Sequence, residues 1–226
     1  MPKILEVIVT SVHEAREAER GGADRLELVR DLASDGFTPS TDLIRNVIAA
    51  VSIPVRVIVR DRIGFTTKAG DIVPLQARIE EICLLGIDGL VLGFLNDGGI
   101  DAGSVRAMLE TTPECRVTFH RAFDEVRDPR CAFEQLHKIP QIDRVLTSGG
   151  SGTPGERADR LTEWQRIAGP NIAILAGGGL DAQSLPIFAR QPTLREFHVG
   201  RAARIPAAPT GSVRRSRVAC LRSVVG

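Results

Sequence analysis

The sequence predicts an α/β fold, a single-domain (β/α)8 barrel of the TIM type over residues 1–226. Three observations carry this. Short β-branched runs recur eight times, their starts about 27 residues apart, close to the ~30 residues per unit of such barrels. Helical patterns fill the gaps between them, which makes the sheet parallel. The first strand–helix turn, "VTSVHE", has no glycine, so the GxGxxG turn of an open dinucleotide-binding sheet is missing.

The units follow in order. "ILEVIV" (4–9) leads to "SVHEAREAERGG" (11–22), where Ser11 and Glu14 stand at capping-box spacing and Gly21 and Gly22 stop the helix. "RLELV" (25–29) precedes "STDLIRNVIAAV" (40–51), and "VRVIV" (55–59) precedes "LQARIEEICLLG" (75–86). "GLVLGF" (89–94) is followed by "AGSVRAMLE" (102–110), and "RVTFH" (116–120) by "PRCAFEQLHK" (129–138). "RVLTS" (144–148) pairs with "ERADRLTEWQRIAG" (156–169), and "IAILA" (172–176) with "DAQSLPIFAR" (181–190). After "EFHVG" (196–200) the last helix has to come from "SVRRSRVACLRSVV" (212–225), whose helical pattern is the weakest.

Composition narrows the function. Hydrophobic content of 43% and charged content of 25% fit an ordinary globular protein. A net charge of +1 argues against nucleic acid as a partner. The basic run "VRRSR" (213–217) reads as a solvated terminal face. No stretch approaches the ~18 apolar residues of a membrane span, and no secretory signal is read. Cys83, Cys115, Cys131 and Cys220 form no CxxC and no close pair in sequence, which suits reduced thiols in a cytoplasmic protein. With aromatics at 4% and no Tyr, the core must be built from Val, Ile, Leu and Ala.

In this fold the site lies at the C-terminal ends of the strands. Side chains alternate along a strand. In "RVTFH", Val117 and Phe119 face the helices, so Thr118 and His120 point inward. Glu6, Glu27, Arg60, Ser148 and His198 are placed on the same grounds. A charge inside a packed barrel needs an opposite partner, so these carboxylates, arginine and imidazoles are read as one ring. Arg121 and Asp124 follow on the loop beyond His120. Gly177, Gly178 and Gly179 after the seventh strand, with Gly200 and Arg201 after the eighth, are read as a phosphate or anion site. "RDRIGFTTKAGD" (60–71) is the best candidate to cover the mouth, and "TSGGSGTPGE" (147–156) is a second flexible loop. His120 is the expected general acid/base, with Glu27 orienting it or serving as a second base, and Glu6 behind. Arg60 and Arg121 would clamp an anion, and Asp124 would position Arg121. Such a set suits an isomerase or lyase acting on a small phosphorylated or carboxylated metabolite.

"GGADRLEL" (21–28), "FTPS" (37–40), "VTFHRAFD" (117–124), "RVLTSG" (144–149), "GGG" (177–179) and "EFH" (196–198) resemble, in order, the CutC family of copper homeostasis proteins. The resemblance runs from about residue 4 to 200 and implies a TIM-type barrel, a cytoplasmic location, dimers or higher oligomers, and a role in copper handling. The bound partner is then a small anionic ligand or a copper ion. Where family members often carry strand cysteines, this chain has Ile8, Val9 and Val29. His120 and His198 could share a metal, a pairing that suits Zn2+ or Cu2+ better than Cu(I).

Overall fold

The computed structural model of the protein describes residues 2–226. Eight parallel strands close into a barrel: β1 Ile4–Val9, β2 Arg25–Leu28, β3 Val55–Ile58, β4 Gly89–Leu92, β5 Val117–Phe119, β6 Ile142–Thr147, β7 Ala173–Ala176 and β8 Glu196–Val199. Each strand pairs with its neighbours in chain order, and β8 pairs with β1. The helices are α1 Val12–Arg20, α2 Thr41–Ile48, α3 Ile72–Cys83, α4 Ala102–Leu109, α5 Pro129–Leu136, α6 Pro154–Ala168, α7 Leu185–Ala189 and α8 Arg215–Val225. Every predicted unit is present. Two short antiparallel pairs, Leu95–Asn96 with Gly99–Ile100 and Arg204–Ile205 with Ser212–Val213, had no signal in the sequence. Among the described residues no helix is long and apolar enough to cross a membrane.

The weak C-terminal pattern does complete the last unit. Val218, Leu221 and Val225 bury one face of α8, while Arg214, Arg215 and Arg217 stay exposed. Gly21, at the end of α1, allows the approach, since a Cβ there would lie 2.5 Å from Cβ of Val218. Arg222 donates to the Lys3 carbonyl at 3.3 Å, and Lys3 Nζ donates to the Val225 carbonyl at 3.1 Å, so α8 is tied to the chain leading into β1. Arg204, 1% exposed, forks onto both carboxylate oxygens of Glu14 at 2.7 and 3.0 Å. This fixes the segment between β8 and α8 against α1. It also revises the expected capping box. Ser11 accepts from the Glu14 N–H at 3.2 Å, but the Glu14 carboxylate accepts from Thr10 and Arg204 rather than from the cap residue.

The apolar residues, chiefly aliphatic as the composition requires, fill the space between strands and helices. Val117 and Phe119 lie there, as alternation predicts. The lower barrel interior is different, because charged side chains fill it. Arg56, fully buried, donates to both oxygens of Asp143 at 2.8 and 2.7 Å, to Asp88 at 2.9 Å and to the Thr118 hydroxyl at 2.7 Å. Arg25 bonds Glu6 and, at 2.6 Å, Glu196, which also accepts from Arg144 at 2.7 Å. A register shift between Val117 and Thr118 opposite β6 lets the successive residues Asp143 and Arg144 both join this layer.

Candidate functional site at the barrel mouth

A cavity of about 700 Å³ opens at the C-terminal ends of the strands, the end at which this fold hosts its sites. Its wall includes Glu27, Arg60, His120, Arg121, Asp124 and His198. Gly178, Gly179, Gly200 and Arg201 line it as well. Glu6, Ser148 and Gly177 do not. The Ser148 hydroxyl accepts from the Gly150 N–H at 3.1 Å, and the Gly177 N–H donates to the Thr147 carbonyl at 2.9 Å. Those two groups bond to the backbone and stand outside the cavity wall.

His120 reaches the mouth from the end of β5, but its chemistry differs from the expectation. Its Nδ1 accepts the Ala122 N–H at 3.2 Å, which leaves the ring proton on Nε2. Phe65 lies against the ring at 5.1 Å between centroids. Gly93 gives the ring its space, because a Cβ at that position would lie 2.6 Å from Nδ1. Burial, with the nearby Arg60 charge, pushes the His120 pKa down to about 3. The residue is therefore a neutral hydrogen-bond donor at pH 7, not an acid/base poised near neutrality. The folded protein resists protonating His120, whereas the unfolded chain takes up its proton near pH 6.5. This contribution to stability is complete above that pH and is lost as pH falls from about 6.5 toward 3, by up to ~1.4 kcal/mol per unit. Replacing His120 by Gln should flatten that part of the curve in urea unfolding measured from pH 7 to 4. An unchanged slope would assign the acid sensitivity to other groups.

Strand register sets the second cluster. Glu6 sits beside His198 of β8 on one side and Arg25 of β2 on the other. His198 Nδ1 is 2.7 Å from Glu6 Oε1 and 3.5 Å from Glu27 Oε2. Burial alone would lower the His198 pKa, but the bond to Glu6 and the charges of Glu27 and Glu6 raise it. Burial would raise that of Glu6, and Arg25 and His198 reverse this and hold its carboxyl well below the usual range. Glu27 has weaker compensation, and burial pushes its carboxyl up to about 7. Among the described residues its Oε2 has no hydrogen-bond partner. One donor atom from each of Glu6, Glu27 and His198 falls within 4.8 Å of the others. The structure thus groups His198 with the two carboxylates rather than with His120.

Arg60 departs from the expected ring of opposite charges. It is 7% exposed, yet among the described residues no carboxylate pairs with it. Its Nη1 donates to the carbonyls of Asp35 at 3.0 Å and Gly36 at 3.4 Å, its guanidinium lies over Phe37 and Phe65, and its Nε has no partner. Arg121 and Asp124 do pair, at 2.9 Å. The other Asp124 oxygen accepts from the Thr147 hydroxyl at 2.5 Å and the Ser148 N–H at 2.9 Å, so this carboxylate is a fixed post for a half-exposed arginine. Gly178 and Gly179 take φ of +74° and +84°, which favours glycine.

Several contributors escaped the sequence reading. Phe65 on the 60–71 loop is part of the wall. Arg157 of α6 donates to the carbonyls of Ser148, Gly177 and Gly178 at 2.7, 3.0 and 3.0 Å and so sets the loops after β6 and β7. That pinning, with Arg160 bonded to the Gly149 and Ser151 carbonyls, makes the 147–156 loop a fastened connection rather than a lid. Arg25, Arg56 and Glu196 each stand two or four residues before a predicted inward residue, so strand alternation carried the signal. The cysteines also need revision. Cys83 and Cys115, far apart in sequence, hydrogen-bond to each other, and that bond lowers the Cys83 pKa and raises that of Cys115. No cysteine lines the mouth.

Fold and site together define a (β/α)8 barrel with a polar pocket in its strand-top mouth, of a kind suited to small-molecule ligands. The family model described as the CutC family matches residues 3–203, and the chain belongs to that family. A copper homeostasis protein cutC homolog of Homo sapiens is 39% identical over 197 residues, covering 86% of this chain and 72% of the relative. A CutC family protein of Xanthomonas campestris pv. campestris (strain B100) is 34% identical over 98% of this chain and 97% of its own. The crystal structure of a copper homeostasis protein CutC from Streptococcus agalactiae superposes with a TM-score of 0.79 at 25% identity, over 88% of this chain and 98% of that one.

Proposed function

We propose that this CutC-family barrel is an enzyme of isomerase or lyase type acting on a small phosphorylated or carboxylated metabolite. The observation that carries the reading is Arg60, a buried guanidinium in the cavity wall that pairs with no carboxylate among the described residues. A charge held so is stabilised when an anion arrives. Arg121 and Arg201 stand on the same wall. Gly178, Gly179 and the turn at Gly200 offer backbone near the same space. His120, neutral and donating through Nε2, would polarise a carbonyl, and a carboxylate of the same wall would take the proton from the adjacent carbon. The cytoplasmic setting and self-association implied by the family belong to the same proposal, and exposed Ile63, Val73 and Leu84 offer apolar surface for a contact between copies.

The experiment is deuterium exchange. The protein is incubated in D2O with a panel of phosphorylated and carboxylated keto compounds, and wash-in beside the carbonyl is read by NMR. Exchange with one member, lost in Arg60→Met, is the expected result. No exchange across the panel together with no anion binding overturns the reading.

A second reading is direct copper binding, suggested by the name of the human relative, a copper homeostasis protein. The mouth does not fit Cu(I), which prefers thiolate and thioether donors, because its donors are carboxylates, imidazoles and guanidinium groups. One observation favours a soft-metal site elsewhere, the contact of the Cys83 and Cys115 thiols. Titration of the reduced protein with Cu(I) against a competing chelator tests it. One-to-one uptake lost in Cys83→Ser would support this reading, and absence of uptake would remove copper as a direct ligand.

A further inference from the structure

We propose that Glu6, Glu27 and His198 form a binding site for a divalent first-row transition cation in the lower part of the mouth cavity. The three residues come from β1, β2 and β8, and each is at least nine-tenths buried, at 0, 4 and 6% exposure. One donor atom of each lies within 4.8 Å of the others. Glu27 Oε2 supplies the independent sign of a missing ligand. Buried carboxylate oxygens in folded proteins find donors, and among the described residues this one makes no hydrogen bond, with His198 Nδ1 standing off at 3.5 Å. Glu27 and His198 both face the cavity, so water or a substrate oxygen can complete the coordination from the open side.

The donor set and its surroundings favour such an ion. Two carboxylates and one imidazole suit borderline divalent cations, and the absence of sulfur disfavours Cu(I). Arg25 bonds Glu6 through Oε2 and leaves Oε1 turned toward His198, which is how an outer partner fixes a ligand's orientation. In the barrel interior Glu6, Glu27, Glu196, Asp88 and Asp143 outnumber the arginines that reach them, Arg25, Arg56 and Arg144, by two. A divalent ion would offset that local excess. Carboxylate and imidazole groups bind a cation in their deprotonated forms, so binding should release protons. Placed here, the cation would also offer a Lewis acid to a carbonyl or phosphoryl oxygen in the cavity.

The test uses the full chain with no substrate or phosphate present, so it stands apart from the anion reading. Metal-free protein is titrated with Co2+ and followed by visible absorption, and with Zn2+ by calorimetry in buffers of different ionisation enthalpy. Expected are one equivalent of Co2+ with ligand-field bands, no sulfur-to-cobalt charge transfer, and proton release on Zn2+ binding. Glu27→Gln should weaken binding on the order of 100-fold. Gln is isosteric with the protonated carboxyl, so this variant should keep the wild-type circular dichroism. His198→Gln should lose binding likewise, while Cys131→Ser should not. No uptake at millimolar Co2+, a thiolate band, or full binding in folded Glu27→Gln would each overturn the proposal.

Discussion

Replacing Arg56 by methionine should cost about 3–5 kcal/mol of folding stability, a large part of what a domain of this size has. The side chain is fully buried and makes four hydrogen bonds, to Asp143, Asp88 and Thr118. Methionine would fill much of the volume but leave Asp143 with only Arg144 and Asp88 with no guanidinium. Urea unfolding gives the loss as a lowered midpoint. If the variant does not fold, Asp143→Asn, which keeps the shape and weakens only one partner, should show a smaller loss in the same direction. A change below about 1 kcal/mol in Arg56→Met would mean that the lower charge layer is not what holds the barrel interior.

Arg60→Met, two pleat repeats beyond Arg56 and just past the end of β3, should act with the opposite sign. Arg60 carries its charge at 7% exposure with only backbone carbonyls and aromatic faces around it. Removing an uncompensated buried charge should leave stability unchanged or raise it by about 1 kcal/mol. Anion binding should fall on the order of 100-fold, the effect of losing a charge-assisted contact of up to ~3 kcal/mol. Calorimetric titration with inorganic phosphate and a urea midpoint on the same preparation read both. A destabilised variant that still binds phosphate would make Arg60 a structural residue. Two arginines four residues apart, both pointing into the barrel, are thereby told apart by the direction of one number.

The eight-unit alternation was legible because it is local. Period-two strands and amphipathic helices are written within a few residues, and caps such as Ser11 lie within one turn. Inward alternation likewise put Glu27, Arg60, His120 and His198 near the strand tops. The same rule would have found Arg25, Arg56 and Glu196. A charge low in a strand looks like an edge of the element in sequence, whereas here it is the filling of the barrel. The pattern of α8 is weak because exposed Arg214, Arg215 and Arg217 crowd its start, and its buried face of Val218, Leu221 and Val225 begins only after them.

The sequence by itself determined the fold, the family and the level at which His120 and Glu27 emerge, since each rests on neighbours along the chain. Only tertiary structure decided which charges are paired. Glu6 meets His198 across 192 residues because closure brings β8 beside β1, and Arg25 falls between Glu6 and Glu196 by register. The same packing buries His120 beside Arg60, holds it neutral, and leaves Arg60 without a carboxylate. Charge state and pairing depend on burial and on lateral contacts between strands, and neither quantity is written in the order of residues along one strand.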